Sequence, residues 1–75
     1  MNFDVRGAVI YNIHEMDKEE LSGMIQDSIK EGDEKLLPGL GVVFELVWKN
    51  SDEEEKQQLV NVLHQAMPEN AKAPL

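Results

Sequence analysis

The chain has 75 residues, no cysteine, and fifteen acids against seven bases, a formal charge of −8. One domain of this length gains only about 3–5 kcal/mol from a single apolar core, and without cysteine it has neither a disulfide framework nor a thiolate metal site. The charge opposes a phosphate backbone, and no apolar run approaches the roughly 20 residues that span a bilayer, so nucleic acid and membrane are not expected partners.

The first predicted element covers about residues 4–14. Val5, Ala8, Val9 and Ile13 recur there at helical spacing, with Asp4 or Asn2 as the cap. A second helix, about 17–31, opens on Asp17 and Glu20, an Asp-x-x-Glu capping box with Met16 and Leu21 placed for a hydrophobic staple. Leu21, Met24, Ile25 and Ile29 give it one apolar stripe, and Gly32 suits the left-handed residue beyond its end. Residues 31–35 are polar and read as a linker turn.

The block from Leu36 to Trp48 is the dense apolar segment of the chain. Its Val42, Val43, Phe44, Val47 and Trp48 would also suit a strand. Pro38 fits a first helical turn, no comparable strand exists elsewhere to pair with, and Leu40, Phe44, Val47 and Trp48 share a helical face. A third helix over 38–49 follows. At about 100° per residue its apolar side chains cover roughly 240° of circumference, far more than the stripe of an ordinary surface helix. Such a helix must be covered on two sides. Leu40, Phe44, Val47 and Trp48 are therefore expected as core anchors, and Val42 and Leu46 as a flank shielded by the first helix or presented to a partner or a second copy of the chain.

The fourth helix is expected to start at Ser51, with Ser51 and Glu54 as a capping box. It carries Leu59, Val60, Leu63, Ala66 and Met67 on one side and stops at Pro68. Residues 1–67 then form the helical domain, and 68–75, with two prolines and little to bury, a flexible tail. A shift of 34 residues lays Gly7 on Gly41, Val9 on Val43 and Asp17 on Ser51, which suggests two related hairpins, although the identities hardly exceed what the composition supplies. The expected fold is all-α: a small single domain of three to four short helices, with two helical hairpins packed around the third.

No residue set reads as catalytic. Asp52, Glu53, Glu54 and Glu55 fit the positive end of a helix dipole better than a cation site, which would need a loop of alternating oxygen ligands. His14 and His64 sit near predicted helix C-termini, where a partly protonated imidazole is stabilised without any chemistry. Gly39-Leu40-Gly41 lacks the third glycine and the Lys-Ser or Lys-Thr of a phosphate loop. Phe3, Tyr11, Phe44 and Trp48 are too few and too far from bases for stacking on nucleotides. No enzyme activity, cofactor, metal or small-molecule substrate is expected.

Several short stretches are nonetheless distinctive. They are Met1-Asn2 with Arg6 and Ala8-Val9-Ile10, Glu34-Lys35 before Leu37-Pro38-Gly39-Leu40-Gly41-Val42, Phe44-Glu45, Trp48 with Asn50, and Asp52-Glu53 with Glu55-Lys56. On these the chain resembles the small acid-soluble spore protein I family of endospore-forming bacteria, over about residues 1–67. The resemblance implies synthesis during sporulation in the developing forespore and residence in the spore core, the forespore cytoplasm; separately, the wide apolar arc of residues 38–49 points to a homodimer or an unidentified spore protein as partner. It implies no reaction and carries no catalytic residues. The major acid-soluble spore proteins coat DNA and carry a Glu-Phe-Ala or Glu-Ile-Ala type sequence for the germination protease; this chain has neither motif, so DNA protection is not implied. The expectation from the sequence is a non-enzymatic spore protein, and the alternative an adaptor or regulatory module binding through the apolar face of residues 38–49.

Overall fold

A computed structural model of the chain describes residues 4–74. Within them lie four helices: α1 (Val5–Ile13), α2 (Lys18–Glu31), α3 (Leu37–Lys49) and α4 (Glu53–Ala66), with a 3₁₀ turn, Glu34–Leu36, leading into α3. No strand occurs among the described residues. The fold is all-α, as the sequence led one to expect; Met1, Asn2 and Phe3, including the alternative cap for α1, lie outside the described residues, as does Leu75.

Most helix ends have an identifiable cause. Asp4 caps α1 by accepting from the Gly7 amide at 2.9 Å, and a Cβ at Gly7 would run into that same carboxylate. A larger residue there would require the Asp4 side chain to shift. In α2 the capping box is reciprocal: Asp17 accepts from the Glu20 amide at 2.8 Å and Glu20 from the Asp17 amide at 3.2 Å. Gly32 ends the helix at φ 67°, a left-handed conformation that a side chain would strain. Asp33 accepts from the Lys35 amide at 2.9 Å, so the expected linker turn is partly a capped 3₁₀ turn. Pro38 stands in the first turn of α3, where its missing N–H is no loss.

The start of α4 differs from expectation by one residue. Asp52, not Ser51, is the cap: it accepts from the Glu55 amide at 2.8 Å while Glu55 accepts from the Asp52 amide at 2.9 Å. Ser51 faces the other way. Its hydroxyl donates to the Val47 carbonyl at 2.6 Å, and Asn50 Nδ2 donates to the Leu46 carbonyl at 2.8 Å, so both residues serve the C-terminal carbonyls of α3. Two overlapping boxes were available in Ser51-Asp52-Glu53-Glu54-Glu55, and the one that starts α4 a residue later is formed, with Ser51 used on the preceding helix.

The other elements gather around α3. Its main helix–helix contact is with α1, and the 3₁₀ turn closes its N-terminal end. Val5, Ala8, Val9 and Ile13 of α1 share a cleft with Met24 of α2 and with Leu40 and Val43 of α3. On the opposite flank Phe44 and Trp48 face Leu59, Val60 and Leu63 of α4. The assembly is open. Only Val42, at 7% exposure, is buried among the described residues. The accessible surface is 7069 Å², against about 4,700 Å² expected for a folded monomer of this mass. The radius of gyration is 14.5 Å, where a domain of this length usually has about 11 Å.

Candidate functional site

The polar groups of the chain are mostly committed to helix ends. Asp4, Asp17, Glu20, Asp33, Asp52 and Glu55 each accept from a backbone amide, which places negative charge at positive helix ends. Glu53 adds a surface pair with Lys56 at 3.9 Å. The acidic run Asp52–Glu55 thus has the helix-start role. Three or more potential ligand side chains do not converge on one point among the described residues. His14 Nδ1 lies 2.8 Å from the Tyr11 carbonyl and its Nε2 3.7 Å from Glu15, a local arrangement at the end of α1.

The exception to local pairing is Arg6 with Glu45, which join α1 to α3. Arg6 Nε donates to Glu45 Oε1 at 2.7 Å and an Nη donates to Oε2 at 2.9 Å, a bidentate fork. Lys49, one turn further along α3, lies 3.7 Å from the same carboxylate. The hydrogen bonds from Arg6 hold the Glu45 carboxyl below its ordinary value; partial burial opposes this, while the positive charges of Arg6 and Lys49 support it. The Glu45 carboxylate in turn raises the Arg6 guanidinium. A signal for this pair exists in the sequence. Arg6 is the sole arginine, and Glu45 is the sole acid within the apolar helix.

The clamp decides which side of α3 faces inward. With Glu45 turned toward α1, Val42, one turn away on the same side, enters the α1–α3 contact and is buried. Of the two fates expected for this flank, Val42 takes the first, shielding by α1, and is not available as a partner surface. Leu46 stays 38% exposed beside it. The expected anchors divide: Leu40 and Trp48 are half-buried, whereas Phe44 at 50% and Val47 at 44% exposure are not core residues. The reversal has a simple origin, because a 240° apolar arc does not reveal which part of it a neighbour covers.

The surface left open runs across α3 and α4. Phe44 and Val47 line a shallow groove with Leu59, Val62, Leu63 and Ala66, and Glu55 and Gln58 stand at its edge. Val62 and Leu63 are 67% and 52% exposed. Beside the groove the Phe44 and Trp48 rings lie 6.1 Å apart at 31°, and Lys56 places its ammonium 5.5 Å from the centre of the Trp48 ring. That cation–π contact, worth about 0.5–1 kcal/mol at an exposed site, ties α4 to α3. Sequence reasoning passed over Val62, which falls off the stripe drawn through Leu59 and Leu63. No nucleophile and base are brought together among these residues, so the surface offers shape and apolar area rather than chemistry.

Comparison with known proteins agrees with the resemblance noted above. The profile of the family described as "Small, acid-soluble spore protein I" matches residues 3–67. Proteins of that name from Bacillus mycoides, Bacillus cereus and Bacillus anthracis are each 46% identical over 67 residues, covering 89% of this chain and 97% of the relative. No solved structure matches. The chain belongs to the small acid-soluble spore protein I family.

Proposed function

We propose, with that membership as premise, that the protein is a non-enzymatic component of the spore core, made in the forespore during sporulation and acting through packing and protein contact. The membership carries the spore assignment. The use of carboxylates as helix caps supports the contact role, since it engages Asp4, Asp17, Asp33 and Asp52 with backbone amides rather than arraying them around a cleft. A formal charge of −8 argues against a role on DNA, where counterion release requires clustered bases.

The exposure of Phe44, Leu46 and Val47 favours a second reading, an adaptor that holds another protein on the apolar face of α3. A fluorescent fusion under the protein's own promoter, followed through sporulation, tests the first. Signal confined to the forespore and retained after the outer layers are stripped is the expected result. Signal in the mother cell or lost with the coat would overturn it. Capture from core extract with the intact chain and with Leu46→Glu tests the second, which requires a species retained by the first and lost with the second.

A further inference from the structure

We infer that the open face of α3 and α4 is the interface of a homodimer, occupied by a second copy of this chain about a two-fold axis. The argument starts from area. The chain exposes 7069 Å². Even if every residue outside the helical body kept the full surface of an unfolded chain, a folded domain of this size would leave about 1,000 Å² of that unexplained. Doubled by symmetry, the excess is about 2,000 Å², where obligate homodimer interfaces begin.

Charge selects the occupant. A chain at −8 repels its own copy over most of its surface, but most of the acids lie at helix starts, and the middle of this face consists of Phe44, Val47, Leu59, Val62, Leu63 and Ala66. A neutral face can meet itself across a two-fold axis without setting like charges in opposition. With that axis perpendicular to α4, the two α4 helices run antiparallel and the acidic first turn of each lies toward the last turn of the other, where His64 stands. With the three-residue turn Asn50–Asp52 joining α3 to α4 in each copy, the four helices form the arrangement of a small bundle. A partner needed by a chain with one buried residue among those described must be present in equal amount, and a second copy always is.

The inference deepens the contact reading above by naming the contact, and its test uses purified full-length protein, so residence in the spore core stands or falls separately. Sedimentation equilibrium should show a dimer at micromolar concentration, with a melting temperature that rises with concentration. Val62→Glu, at a position exposed in the single chain, should weaken association about a hundredfold or more, because symmetry applies the change twice. Tyr11→Glu, at a 76% exposed site on α1, should associate like the unaltered protein. A monomer with a concentration-independent melting temperature would overturn the inference. So would a Val62→Glu protein as dimeric as the original, or an equal loss with Tyr11→Glu.

Discussion

Val42 and Val47 offer a controlled comparison: the same residue, in the same helix, differing mainly in burial at 7% and 44% exposure. Truncation of Val42 to Ala removes about two buried methyl groups, some 1.6 kcal/mol of transfer energy. The enclosed hole adds up to about 1 kcal/mol, since the surroundings relax only in part. Alanine's better helix propensity returns about 0.6 kcal/mol. The net loss is about 1–2 kcal/mol, a large share of the roughly 3–5 kcal/mol available to a domain this small. For Val47 the transfer loss is about half as large, no enclosed hole forms, and propensity offsets most of the remainder, leaving a change within about 0.5 kcal/mol. Urea unfolding at the lowest practical concentration, where association contributes least, should lower the midpoint for Val42→Ala with an unchanged slope and barely move it for Val47→Ala. In thermal terms each kcal/mol corresponds to about 4–8 °C. Equal losses, or a larger loss at Val47, would refute the assignment of the inward side of α3.

Asp52→Ala should cost about 0.5–2 kcal/mol through its capping box and Ser51→Ala less; a larger effect at Ser51 in the urea midpoint would restore the earlier helix boundary. Because the Glu45 carboxyl lies lower in the fold than its unfolded value of about 4.3, the stabilisation from Arg6 is fully present above that value and is lost as pH falls through the folded one. Glu45→Gln should therefore be less stable at neutral pH and decline less steeply in acid, and parallel pH profiles would count against the clamp. Gly32→Ala should destabilise by about 1 kcal/mol because of its φ of 67°, whereas an unchanged midpoint would mean that α2 ends otherwise.

What could be read from the sequence was local. The boundaries of α2, its capping box and its glycine stop are written within a few residues of one another, and so is the first turn of α3 at Pro38. Asp52 was missed as the cap only because Ser51 supplied an equally good pattern, and the choice fell to a carbonyl of the preceding helix. The orientation of α3 was not legible in its own residues. Phe44 and Val47 look as apolar as Val42, and what separates them is a guanidinium 39 positions away from Glu45. Long-range placement of a uniformly apolar helix depends on its few polar residues, and here those pointed inward more truthfully than the aromatics did.

The side-chain hydrogen bonds of the described residues span at most four positions, apart from the Arg6–Glu45 fork. Secondary structure and architecture are therefore under separate control. Helix starts and stops are set mostly within a few residues, whereas the arrangement of the helices hangs on the Arg6–Glu45 joint, the packed Val42 and the Lys56–Trp48 contact. A protein wired this way can lose its shape while keeping its helices, so far-ultraviolet circular dichroism would read as native after the joint opens. Tertiary order has to be followed elsewhere, in the emission of Trp48 or in amide exchange along α1, where opening of the joint is felt before any helix melts.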